Sequence, residues 1–125
     1  MTTWTSDELD AIAAEDELRI APRNPDGTLP TAVPIWVVRH EDDLYVRSYK
    51  GGAAAWYQGT QATHAGHIES AGVAKDVTFA DETDQALGDA LDAAYRAKYR
   101  NYSASIVDPI VSAKARGATL RLVPR

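Results

Sequence analysis

The chain has 125 residues and a mass of 13.5 kDa, the size of one domain, so we predict a single domain over residues 1–125. It contains no cysteine, which excludes disulfides, thiolate zinc sites, iron–sulfur clusters and cysteine nucleophiles. No apolar run is long enough to cross a bilayer, and the first four residues lack the features of a signal peptide. We therefore expect a cytoplasmic protein without a membrane partner.

The net charge of −5 is distributed unevenly along the chain. Residues 1–17 carry six acidic groups and no basic group, whereas residues 93–125 carry seven basic groups and Asp108 as their one acid. The acidic total argues against a nucleic-acid partner, because neutralisation of phosphates dominates that kind of binding. A single local anion site is still compatible with this charge.

The first half of the chain predicts a short capped helix, a strand, a turn, a hairpin and the start of a second helix. Thr5 and Glu8 match a capping box. The hairpin strands are rich in β-branched and aromatic residues, which favour extended structure. The predicted elements are a helix over 5–14, strands over 18–21, 33–39 and 44–49, a turn over 24–27 and a helix that begins at 53–57.

The second half predicts two further strands, a long helix, a short helix and a last strand. Asp81 or Thr83 is the expected N-cap of the long helix, and Asp108 with Pro109 fits the start of the short one, which Gly117 ends. The strands are predicted over 65–69, 73–79 and 118–123 and the long helix over about 84–100. About six mostly antiparallel strands with three or four helices make an α+β domain.

The densest candidate site lies where the second hairpin strand ends. Arg47, Ser48 and Lys50 are followed by Gly51 and Gly52 and then by the start of a helix. Glycines let a ligand approach the backbone, and a guanidinium, an ammonium and a helix N-terminus all favour an anion such as phosphate. The alternative is that both cations are solvated charges on an edge strand and that the glycines only form the turn.

The segments 35–48, 51–57 and 118–124 resemble the FMN-binding split-barrel superfamily, in particular a small uncharacterised bacterial branch of it. The Gly-Gly…Trp-Tyr spacing is also similar to that of the deazaflavin-dependent nitroreductases of actinobacteria. The resemblance implies a split β-barrel of about six strands with peripheral helices. It further implies that the cofactor is FMN or a deazaflavin coenzyme, whose phosphate is bound by Arg47, Ser48, Lys50, Gly51 and Gly52. The pocket for the ring or the substrate is then shaped by Trp56 and Tyr57.

The function that this resemblance implies is an oxidoreductase that transfers a hydride between the flavin or deazaflavin and a small organic substrate. The protein would supply binding, orientation and exclusion of water, and a homodimer is also implied. The sequence departs from the nitroreductase pattern at Gln58 and Gly59, where those enzymes usually carry His-Asn. The alternative function is a non-enzymatic ligand-binding or sensor module that has kept the barrel and lost the cofactor.

Two further groups of side chains have open interpretations. His64 and His67, three residues apart, are expected on opposite faces of a strand, which is poor geometry for one metal ion, so we predict no metal site. Their alternative role is proton donation near a bound ring. Tyr95, Tyr99 and Tyr102 fall at helical spacing beside basic residues, and they either pack on the barrel or form a basic aromatic face that covers a phosphate.

Overall fold

Seven strands form one antiparallel sheet in the computed structural model, which describes residues 3–125. The strands are β1 (Glu17–Pro22), β2 (Val33–Trp36), β3 (Val38–His40), β4 (Asp43–Arg47), β5 (Ala65–Ser70), β6 (Val73–Glu82) and β7 (Thr119–Pro124). Met1 and Thr2 lie outside the described residues. They belong to the predicted domain over 1–125 and to the four residues that lack the features of a signal peptide.

The order of the strands in the sheet is β2-β1-β5-β6-β7-β4-β3. The two edge strands, β2 and β3, are joined in the chain by one residue, Val37. The sheet must therefore curl until its edges meet, which makes a nearly closed barrel with a split beside β2. The predicted α+β split barrel is confirmed, with seven strands in place of about six.

The predicted strand over 33–39 is divided at Val37. Its first part pairs with β1 and its second part with β4, so the hairpin is confined to β3 and β4. Val37 leaves the sheet because its backbone N–H donates to the hydroxyl of Tyr99, at 3.1 Å, instead of to a neighbouring strand. Pro34 is accommodated because β2 is an edge strand.

Short and long helices surround the barrel. They are α1 (Ser6–Ala13), α2 (Ala55–Thr63), α3 (Gln85–Lys98), α4 (Ala104–Val107) and α5 (Ala113–Arg116), with 3₁₀ helices over Gly51–Ala53 and Asp108–Val111. The predicted capping box of α1 is present in full. The N-cap of α3 is Asp84 and not Asp81 or Thr83, because β6 runs through Glu82 and the Asp84 carboxylate accepts from the backbone of Leu87.

The core has two parts, one inside the barrel and one between the barrel and α3. Tyr95 and Tyr99 are fully buried in the second part, whereas Tyr102 is 40% exposed. The interpretation in which this helix packs its tyrosine rings on the barrel is therefore correct for the first two. Within residues 3–125, no helix has both the length and the apolar character that crossing a bilayer requires.

Candidate functional site

A cleft of about 370 Å³ lies at the split of the barrel, between β2, the end of β4, the start of α2 and the α4 region. Its volume is in the range of small-molecule pockets. Most of its walls are apolar or aromatic, from Pro34, Ile35, Trp36, Tyr49, Trp56, Ile106, Pro109 and Ile110, and its polar members are Glu17, Arg47 and Ser105. The sequence-predicted segment 47–57 therefore contributes three residues to this cleft.

One wall of the cleft is Trp36, which is held from behind by Tyr99. The two rings stack with centroids 3.7 Å apart and planes inclined by 4°. The Tyr99 hydroxyl accepts the Val37 N–H and donates to the backbone oxygen of Asp16 at 2.6 Å. Burial is the main reason that the pKa of Tyr99 is raised well above its ordinary value. The hydroxyl thus stays protonated, and the indole has a fixed orientation.

Arg47 lies at the cleft, but its guanidinium is committed to the protein. The side chain is 0% exposed, and Nη1 binds Oδ1 of Asp92 at 2.5 Å. Nε donates to the Thr119 hydroxyl, and Nη1 and Nη2 donate to the backbone oxygens of Ile110 and Gly88, all at 3.1 Å. Four of its five N–H groups are therefore used within the chain.

Neither sequence interpretation of Arg47 agrees with this geometry. It is not a solvated edge charge, because β4 lies between β3 and β7 and the side chain is buried. It is not available to a phosphate either, because its donors bind Asp92, Thr119 and two carbonyls. Its observed role is to attach α3 to the barrel.

Ser48 and Gly51 shape the turn that follows β4. Ser48 is buried, and its hydroxyl donates to the backbone oxygen of Gly51 at 2.7 Å, so the expected phosphate contact from Ser48 does not agree with the geometry. Gly51 has φ +62°, and a Cβ there would lie 2.5 Å from Cγ of Lys114. This position thus requires glycine.

Lys50 and Gly52 lie at the surface beside the cleft. The Lys50 ammonium is 5.8 Å from the ring centroid of Tyr49, a cleft residue, and a Cβ added at Gly52 would meet no atom within 4 Å. Helix α2 then begins without a side-chain cap. Lys114 of α5 is exposed and packs its stem on Gly51. Sequence reasoning missed Lys114, because no spacing signal connects it to a turn more than sixty residues away.

Trp56 and Tyr57 have different surroundings although they are adjacent. Trp56 lines the cleft, and Tyr57 does not. The pKa of Tyr57 is raised by burial and by the negative charge of Asp81, a residue of β6. Sequence reasoning also missed Trp36, Tyr49 and Ile106; the last two are more than half exposed at the cleft, and only their exposure distinguishes them from core residues.

The two candidate histidines lie away from the cleft lining. His64 ends α2 with φ 54°, directly before β5, and its Nε2 lies 3.3 Å from Oδ2 of Asp81. His67, on β5, lies 3.0 Å from Asp76. Across residues 3–125, no group of three or more His, Cys, Asp or Glu side chains is arranged to hold a metal ion.

Comparison with known proteins gives a family and a fold. The model of a family described as "Uncharacterized protein conserved in bacteria (DUF2255)" matches residues 8–122. No curated protein sequence matches the chain. Among solved structures, the conserved hypothetical protein Rv2991 from Mycobacterium tuberculosis is 10% identical with a TM-score of 0.68, and the match covers 100% of this chain and 82% of that chain.

Two other similar structures have named ligands. HutZ, the heme storage protein from Vibrio cholerae, has a TM-score of 0.67 and 13% identity over 96% of this chain and 89% of that chain. An FAD-binding protein (mll6688) from Mesorhizobium loti has a TM-score of 0.58 and 16% identity, and the match covers 99% of this chain and 92% of that chain. At these identities the likeness establishes the fold, and it confirms the split-barrel resemblance of the sequence.

Proposed function

The chain belongs to the DUF2255 family of bacterial proteins, and from its fold and cleft we propose that it is an oxidoreductase that binds a flavin-type cofactor, FMN or a deazaflavin. The observation that carries the proposal is the cleft at the barrel split, where Trp36, Trp56 and Tyr49 present aromatic surfaces around apolar side chains. Such walls suit a planar ring. The similar structures support this, since one is an FAD-binding protein and another stores heme, which is also a planar ring system.

The anionic part of the cofactor fits the surface beside the cleft. Lys50 and Lys114 make no ion pair within residues 3–125 and lie on either side of the turn. Gly52 has open space in front of its backbone. We assign the phosphate to these three residues, with Ser48 and Gly51 fixing the turn and Arg47 left out of the predicted set.

The chemistry of the bound flavin would be hydride transfer to a small organic substrate. The residues of this chain bind and orient the ring. Tyr99 holds the Trp36 indole in one orientation, and Ile106 and Tyr49 contribute apolar surface to the cleft. We assign no side chain as a catalytic acid or base.

We further propose that the protein works as a homodimer. Val33, Tyr49 and Ile106 are apolar side chains that are 36–56% exposed, and two of them line the cleft. Exposed apolar groups of this kind mark contact surfaces. Sedimentation analysis of the purified chain should show a dimer that Val33→Glu weakens; a wild-type monomer at high protein concentration would contradict this.

Titration of the purified protein with FMN, riboflavin and a reduced deazaflavin tests the cofactor assignment. Ile106→Glu places a carboxylate at the cleft on an exposed side chain, and it should abolish flavin binding without unfolding the protein. Leu29→Glu, a matched change at an exposed residue outside the cleft lining, should leave binding unchanged. Wild-type protein that binds none of the three would refute the proposal, whereas binding without hydride transfer to any acceptor would favour the non-enzymatic module.

A further inference from the structure

One carboxylate in the cleft lining has no role in the site described above. Glu17, the first residue of β1, lines the wall and is the cross-strand partner of Trp36. The cation Lys50 lies beside another cleft residue, Tyr49, with its ammonium 5.8 Å from the ring centroid. Glu17 is exposed and makes no ion pair within the described part of the chain. A carboxylate without a partner therefore stands beside an aromatic wall.

The carboxylate of Glu17 acts on the aromatic cluster behind this wall. The pKa of Tyr102 is raised by its hydrogen bond to Asp16 and also by the negative charge of Glu17, and Glu17 contributes in the same direction to Tyr99. Two cations lie near Glu17. Lys98 donates to the backbone oxygen of Val37 at 2.6 Å and experiences the charges of Asp16 and Glu15, and Arg19 follows on the same exposed face of β1. Within the described residues neither of them forms an ion pair with Glu17.

We propose that Glu17 and Trp36 form a binding site for the cationic group of the substrate, so that the cleft selects organic cations such as quaternary ammonium compounds or protonated amines. A cation is attracted to a carboxylate by its opposite charge and to the face of an indole by the ring quadrupole, and aromatic faces are a known means of recognising quaternary ammonium groups. The apolar side chains Ile35, Ile106 and Ile110 would contact the body of such a molecule.

This inference rests on the proposed function only for the reaction that the bound cation undergoes. The preference of the cleft for a cationic ligand does not depend on that reaction. It can be measured without any cofactor. Nitroaromatic probes quench tryptophan fluorescence, and two of the three tryptophans line the cleft. Suitable probes of matched size are 4-nitrobenzyl-trimethylammonium, 4-nitrobenzyl alcohol and 4-nitrobenzoate.

Fluorescence titration of the cofactor-free protein should show the cationic probe binding more tightly than the neutral one, and the anionic probe binding most weakly. Glu17→Gln should weaken the cationic probe by at least about threefold and leave the neutral probe unchanged. Glu17→Lys should reverse the preference. Asp42→Asn, which removes one exposed negative charge in the β3–β4 turn, is the matched control and should change neither probe.

Equal affinities for the three probes in the wild type, or a preference that both Glu17 variants retain, would overturn the inference. Failure of the cofactor assignment gives a different result, since the protein would then bind none of the flavins while the probe preference persisted. Wild-type protein that binds a flavin but shows no preference for the cationic probe would refute the cation site and leave the cofactor assignment intact. Raising the ionic strength should weaken the cationic probe and not the neutral one.

Discussion

The guanidinium of Arg47 and the carboxylate of Asp92 form an ion pair that joins β4 to α3, with Nη1 and Oδ1 2.5 Å apart; the arginine side chain is fully buried and that of Asp92 is 24% exposed. The second oxygen of Asp92 accepts from Arg116 at 2.8 Å, so one carboxylate lies between two arginines. Asp92→Ala leaves the buried Arg47 without its counter-charge, and we expect a loss of about 3–5 kcal/mol in the free energy of unfolding, measured in urea.

Asp89→Ala is the control for this change. Asp89 also binds Arg116, but its side chain is 76% exposed, so its removal should cost less than about 1 kcal/mol. Equal costs at the two positions would show that the Arg47 pair contributes no more than a surface contact.

Gly66 and Gly52 differ in the space that is available to an added Cβ atom. A Cβ at Gly66 would lie 2.5 Å from the backbone oxygen of Ala21 and 2.8 Å from Phe79, whereas a Cβ at Gly52 would meet nothing. Gly66→Ala should therefore destabilise the protein by about 1–3 kcal/mol. Gly52→Ala should stay within about 0.5 kcal/mol of wild type and still weaken FMN binding. Unchanged FMN affinity in Gly52→Ala would place the phosphate elsewhere.

The phosphate assignment predicts a difference between FMN and riboflavin, which lacks the phosphate. Lys50→Ala and Lys114→Ala should each weaken FMN by about two- to fivefold, because each removes one exposed cation, and should leave riboflavin unchanged. Arg125→Ala, at the chain terminus beside Asp76, is the control. Equal losses for both ligands, measured by calorimetric titration, would contradict the assignment.

The lowered pKa of Lys98 should make the free energy of unfolding depend on pH. Burial is the main cause that lowers the pKa of Lys98 to about 8, from 10.5 in the unfolded chain. Between these values the unfolded state binds more protons than the folded state, so the free energy of unfolding should rise as pH increases from 8 towards 10. Above pH 10 the raised pKa of buried tyrosines, about 12 for Tyr45, acts in the opposite direction.

Urea midpoints measured between pH 7.5 and 9.5 test this expectation. They should rise with pH in the wild type and stay nearly constant in Lys98→Met. A wild-type midpoint that is flat or falls over this range would contradict the assigned role of Lys98.

Local signals in the sequence predicted most of the elements. The capping box at Thr5 and Glu8 and the turn at Gly27, which has φ +90°, depend on neighbouring residues and were correct. The break at Val37 could not be predicted, because its cause is the hydroxyl of Tyr99, 62 residues away. The strand propensity of residues 33–39 is the same on both sides of that break.

The segment that the sequence singles out, residues 47–57, contributes Arg47, Tyr49 and Trp56 to the cleft lining. The other lining residues come from segments that are distant in the chain. The role of Arg47 could not be predicted, because its partner Asp92 lies 45 residues away and resembles Asp89 in the sequence, and only the fold shows which of the two binds Arg47. Nothing in the sequence distinguishes Trp36 from the other residues of its strand, because its place in the cleft depends on the barrel splitting beside it.

The most direct test of the central claim follows the indole N–H signals of the three tryptophans by NMR during titration with FMN. Trp36 and Trp56 line the cleft, whereas Trp4 is buried in the barrel core and donates to the backbone oxygen of Leu122 at 3.0 Å. We predict that the signals of Trp36 and Trp56 shift saturably while that of Trp4 stays in place. Signals of Trp36 and Trp56 that do not move at saturating FMN would contradict the claim that this cleft binds a flavin.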